Sequence, residues 1–196
     1  MGALRIPEPV LLFFGLLGAG EEALVRARAR LEDEFGPAPV LSPVIPFTFS
    51  AYYEPEMGAG LLRQWALTGR LIAPDAIAAI KRRTNEIEEE FCGARETEAG
   101  PAGGRRANID PGYVSLAKVV LATTKDYSHR LYLGGGIYAE VTLAYGARTR
   151  GFEPQPWTYP DYRAPAALDF FNRAREEYKR LMRQARAQET GHGATL

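Results

Sequence analysis

Hydrophobic residues follow two periods along this chain, and the change from one to the other divides it. Residues 10–17 form an unbroken apolar run with no polar alternation. A strand reads this way when both of its faces are covered, because neither side of the pleat meets water. After a glycine-rich turn at Gly18 to Gly20, Leu24, Ala27, Leu31 and Phe35 recur at helical spacing. They predict a helix over residues 21–35, stopped by Gly36-Pro37. Pro39, Pro43 and Pro46 then break up residues 40–53, so any strand there is short, irregular or at an edge. Residues 61–72 fit a strand or a helix equally well. Pro74 opens a clearer helix, in which Ile77, Ile80, Ile87 and Phe91 line one face while Lys81, Arg82, Glu88 and Glu89 lie largely on the other.

Beyond residues 93–106, a glycine-rich charged stretch that reads as a flexible surface loop, the period becomes two. Residues 119–124 predict a strand, and residues 130–145 a hairpin around Gly134-Gly135-Gly136. A three-residue loop pairs Leu133 with Ile137 and Leu131 with Ala139, and sets Arg130 opposite Glu140. A second loop spans residues 146–165, and a last helix runs from about residue 166 to 187. A disordered tail is expected over residues 188–196. The sum is one α+β domain over residues 1–187. The expected architecture is a ferredoxin-like mixed or antiparallel sheet with an added C-terminal β-hairpin, packed by about three helices.

Composition narrows the function classes. The 196 residues carry 24 Lys and Arg against 24 Asp and Glu, so no overall field recruits nucleic acid or an anionic membrane. The apolar run of residues 10–17 falls far short of the roughly 20 residues that span a bilayer, and it lacks a basic n-region and a cleavage site. Cys92 is the single cysteine, which excludes an internal disulfide and fits a reducing cytoplasm. It reads as a small apolar residue closing a helix. The oligomeric state is left open.

Candidate chemistry gathers between residues 108 and 163. His129 sits in Lys125-Asp126-Tyr127-Ser128-His129-Arg130, where an imidazole that titrates near neutrality can act as acid or base, oriented by Asp126 or another carboxylate. Lys125 and Arg130 can hold an anionic ligand. Asp110 and Asp126 are the candidate ligands of a divalent metal, because Mg²⁺ and Mn²⁺ need only one or two protein oxygens besides water and phosphate. Glu140 is explained as the cross-strand partner of Arg130, or as a ligand-binding residue if that face is covered, and Asn108 to Tyr113 as a turn made by Asp110, Pro111 and Gly112. Trp157, Asp161, Tyr162 and Arg163 share one loop, which either staples onto the core or stacks on a ring-bearing ligand whose phosphate or carboxylate Arg163 meets. Asn85, in Thr84-Asn85-Glu86, adds a further polar patch. Neither glycine-rich turn is a nucleotide motif: residues 15–20 match neither G-x-G-x-x-G nor a P-loop.

The segments Arg106-Ala107-Asn108-Ile109-Asp110-Pro111-Gly112-Tyr113, Ala122 to Arg130, Gly136 to Thr142 and Trp157 to Tyr162 resemble the prokaryotic domain-of-unknown-function family 4416. The resemblance runs from about Pro7 to Tyr178. Members are at times labelled GTP-binding, but this chain has no P-loop and no Asn-Lys-x-Asp guanine motif, so the label is not carried over. The resemblance implies that the polar segments recur together, as one pocket requires. The expected function is a small-molecule-binding protein or an enzyme acting on a phosphorylated or nucleotide-like ligand. The alternative is a non-catalytic interaction or oligomerisation module that uses the aromatic loop at residues 157–162.

Overall fold

A computed structural model of the chain describes residues 3–92 and 104–192. Its first strand, β1 (Val10–Gly18), is buried at every position. The even residues Leu12, Phe14 and Leu16 pack with α1 (Glu21–Phe35) on one face. The odd residues Leu11 and Phe13 pack on the other face against Phe170, Phe171 and Ala174 of the last helix, α4 (Pro165–His192). This two-sided burial, worth roughly 1.5–3 kcal/mol for each large apolar side chain, explains the missing alternation. α1 stops where Gly36 takes a φ of 89° and its N–H closes on the Glu32 carbonyl.

Proline limits the next stretch of chain to two dipeptide edge strands, β2 (Val40–Leu41) and β3 (Ile45–Pro46), and a four-residue helix, α2 (Glu54–Met57). The ambiguous segment resolves as β4 (Leu62–Ile72), held between β1 and the two short strands, where its backbone groups find ladder partners. α3 (Ile77–Glu89) leads, through residues 93–103 that lie outside the described part, to β5 (Ala107–Val114). Most of the expected flexible loop falls on those residues; in its described end, residues 104–106, Arg105 pairs with Cys92 in a β-bridge and the Arg106 N–H donates to the Phe91 carbonyl. Cys92 is exposed rather than closing an apolar helix end.

The remaining strands are β6 (Lys118–Thr123), β7 (Leu131–Gly134), β8 (Ile137–Gly146) and β9 (Gly151–Pro154). All pairings are antiparallel, in the order β2-β4-β1-β5-β6-β8-β7, with β3 on β4 and β9 on β8. The described residues therefore make an α+β fold, one large antiparallel sheet with four α-helices.

Three expectations need correcting. Asn108 to Tyr113 is not a turn: it is the body of β5, with Pro111 opposite Phe14. Leu131 does pair with Ala139, but a register shift sets Gly134 rather than Leu133 opposite Ile137. The apolar residues of β7 face water, since the core cluster under α1 and α3 takes in Ile137 of β8 but nothing from β7. The last helix does not end at residue 187 but continues to His192.

Candidate functional site

Pro111 is tolerated inside a sheet because β5 loses its second neighbour there. β5 and β6 pair only at Gly112–Leu121, Tyr113–Val120 and Val114–Val119, and then part. Gly112 lies at the fork, where a Cβ would come within 2.4 Å of the Phe13 ring. Below it, two side chains of α3 replace the missing strand: Ile109 N–H donates to Glu88 Oε1 at 2.8 Å, and Lys81 Nζ donates to the Ile109 carbonyl at 2.8 Å. Backbone groups of alternate residues point to the same side of a strand. The N–H that Pro111 lacks would therefore face the same open side, so its absence costs no hydrogen bond.

The fork encloses a cavity of about 320 Å³. Its rim is aromatic, with Phe49, Tyr52 and Tyr53 from the segment after β3, Tyr127 from the loop after β6, and Tyr159 from the loop after β9. Its floor is charged. Arg63 pairs with Asp161 at 2.7 Å, with both side chains 4% exposed. Lys81 lies 3.3 Å from Asp110 and 3.6 Å from Glu88. Arg105 grips Glu56 through two bonds of 2.7 and 2.8 Å and also meets Glu88 and Asn108. Asn108 Nδ2 donates to Asp110 Oδ2 at 2.8 Å. Burial pushes the Glu88 carboxyl above the usual range against the pull of Lys81, and it raises the Tyr53 and Tyr162 phenols as well.

On the β8 side, Glu140 Oε2 accepts from Arg130 Nε at 2.7 Å and lies 3.0 Å from His129 Nε2. Arg130 also donates to the Lys125 carbonyl and the Tyr159 hydroxyl. Lys125 itself meets no carboxylate among the described residues; its ammonium lies 3.9 Å from the centre of the Tyr52 ring.

Of the candidate residues read from the sequence, Asp110, Lys125, Arg130, Glu140, Asp161, Tyr162 and Asn85 line this cavity. His129 lies behind Glu140, stacked between Tyr127 and Trp157 at 6.0 and 5.3 Å. Its carboxylate partner is therefore Glu140, not Asp110 or Asp126. Asp126 is exposed and lies outside the cavity wall, so the two candidate metal ligands do not share it. Trp157 likewise stands outside, donating Nε1–H to the Val141 carbonyl. Arg163 also stands outside the cavity wall, its Nε and Nη2 donating to the carbonyls of Thr158, Gln155 and Pro156. The Tyr162 ring is core, stacked on Phe171.

Sequence reasoning does not reach Arg63, Tyr53, Arg105, Lys81 and Glu88 as residues of the site. Helical spacing assigns Lys81 and Glu88 to the solvent face of α3, yet they are 4% and 3% exposed. A signal exists: residues 81, 84 and 88 repeat at helical spacing as an apolar stripe would, but with polar side chains. Among the described residues no group of three or more His, Cys, Asp or Glu is placed to hold a metal ion, and no helix is long and apolar enough to cross a membrane.

No curated protein and no solved structure matched the chain. The family described as Domain of unknown function (DUF4416) matches residues 8–178, which takes in every strand and helix that builds the fork, and the chain belongs to that family.

Proposed function

We propose that the protein binds a phosphorylated or nucleotide-like small molecule in the cavity at the β5–β6 fork. One observation carries this reading. Four of the five cations in the wall are matched by carboxylates, whereas Lys125 has none among the described residues and stands at an aromatic mouth. An unmatched ammonium at the entrance of a concave, ring-lined site favours an anion attached to a planar group. Enzymatic chemistry, where it occurs, falls to the carboxylates that face the cavity, Asp110 and Glu140, with His129 acting through the Glu140 carboxylate it contacts. A divalent ion would enter with the ligand's phosphate, beside Asp110.

The test is a thermal-shift series with inorganic phosphate, ribose 5-phosphate and nucleoside mono-, di- and triphosphates, each with and without Mg²⁺. A ligand at a hundred times its Kd stabilises by about 2.7 kcal/mol, which such a scan resolves. Stabilisation that Lys125→Ala abolishes supports the reading. No shift with any compound sinks it.

The interaction-module reading draws on two exposed surfaces, the aromatic loop and edge strand β7. In the aromatic loop Thr158, Asp161 and Tyr162 are buried but Trp157 and Tyr159 are 39 and 40% exposed, and Leu131, Tyr132 and Leu133 on edge strand β7 are 74, 62 and 43% exposed. A monomer by light scattering at high concentration removes its self-associating form. For the fold, the path β1-α1-β2-β4-α3-β5 with the order β2-β4-β1-β5 supports a ferredoxin-like core, extended by β6, β8 and β7. Cys92, free and exposed, is in keeping with residence in the reducing cytoplasm.

A further inference from the structure

α3 carries Lys81, Asn85 and Glu88 on one face, four and three residues apart, and all three line the cavity. The outer two are committed. Lys81 and Glu88 hold the Ile109 carbonyl and N–H, which fixes the helix against β5. Asn85 lies between them, half-buried, and its carboxamide meets no hydrogen-bond partner among the described residues. It therefore offers one acceptor and two donors into the same space that Tyr52, Tyr53, Tyr127 and Tyr159 line.

We propose that Asn85 is the specificity-determining residue of this cavity. It accepts at Oδ1 and donates from Nδ2 to a ring edge that carries a donor and an acceptor side by side, as nucleobases and other heteroaromatic amides do. The inference rests on the reading of the cavity as a site for a phosphorylated or nucleotide-like ligand. The other free groups cannot discriminate between rings: the Lys125 ammonium attracts any phosphate, and the tyrosine faces stack on any ring. A carboxamide held on a fixed helix rejects an edge of the wrong polarity, because one partner is then left buried and unpaired. Asn85 thus selects among rings that the rest of the wall treats alike.

The experiment is calorimetric titration of the full chain and of the Asn85→Leu and Asn85→Asp variants with AMP, GMP, CMP, UMP and ribose 5-phosphate. The unaltered protein is expected to prefer at least one nucleotide over ribose 5-phosphate. Both variants should lose roughly tenfold or more in affinity for that nucleotide, the scale of a paired amide contact to a base edge, while binding ribose 5-phosphate unchanged. Should Asn85→Leu fail to fold, the near-isosteric Asn85→Asp, which keeps the acceptor and loses the donor, carries the test. Variants that bind the preferred nucleotide as tightly as the unaltered protein overturn the role of Asn85 and leave the ligand site standing. Equal binding of ribose 5-phosphate and all four nucleotides overturns ring recognition alone. No binding by the unaltered protein overturns both.

Discussion

Arg130 and Glu140 face each other where β7 meets β8, Nε to Oε2 at 2.7 Å, with side chains 2% and 1% exposed. The same carboxylate oxygen lies 3.0 Å from His129 Nε2, and Oε1 takes the Thr142 hydroxyl at 3.3 Å. A pair this well covered is held by its hydrogen bonds as much as by its charges.

Glu140→Ala leaves the Arg130 guanidinium buried without its carboxylate, a loss of about 3–5 kcal/mol in unfolding free energy by urea titration. Replacing both partners, as Arg130→Met with Glu140→Leu, removes the orphaned charge and should cost less than the single change. A double replacement as damaging as Glu140→Ala would mean that the position matters for packing rather than charge.

Gly112 sits where β5 and β6 part, and an added Cβ would lie 2.4 Å from both the Phe13 ring and the Val120 carbonyl. Gly112→Ala is therefore expected to destabilise by about 1–3 kcal/mol, the usual cost of overpacking a core. Combining it with Phe13→Leu should recover part of that loss, because the ring is one of the two obstacles. Simple additivity of the two changes in urea unfolding would refute the proposed clash.

These two sites show how far the sequence is legible. The Arg130–Glu140 pairing follows from alternation along residues 130–145, since a strand register is set by which residues share a face. The fork at Gly112 does not, because Asp-Pro-Gly satisfies the local chemistry of a turn. Only the ladder with β1 overrides it, and that ladder joins residues about a hundred positions apart in the chain. The same limit hides Lys81 and Glu88. Charges on a helix normally mark its wet side, and their role here depends on a backbone peptide, Ile109, that no helical period announces. Arg63 escapes notice for a similar reason, since its partner Asp161 lies far along the chain on a loop.

Glu88 gives the protein a predictable pH response. Burial raises its carboxyl above the ordinary value of 4.5, with Lys81 partly opposing the rise. The native state therefore holds the proton more tightly than the unfolded chain does. Its favourable contribution is fully present below the unfolded pKa and is lost as pH climbs through the raised native one. Glu88→Gln should flatten that decline in urea unfolding measured between pH 4.5 and neutrality. An unchanged slope would place the titration on another group.

The wall segment that carries Tyr52 and Tyr53 is clasped by the two-bond grip of Arg105 on Glu56. α2, which bears Glu56, has only four residues and contributes a single buried apolar anchor, Met57, packed with Leu17 and Leu61. A helix this short has little stability of its own. Glu56 is 44% exposed at its side chain, so the pair contributes at most about 1 kcal/mol to global stability. Locally it weighs more, because the rest of the segment rests on a small apolar cluster, Leu17, Met57 and Leu61 with Phe47 and Tyr53 against it. Glu56→Ala should leave the melting temperature nearly unchanged while speeding amide exchange at Glu56, Met57 and Gly58, whose N–H groups bond within that turn. Exchange confined to those amides would mark the segment as a separately opening unit at the cavity mouth. Exchange that rises across β4 and β5 as well would show the clasp to be part of the global fold.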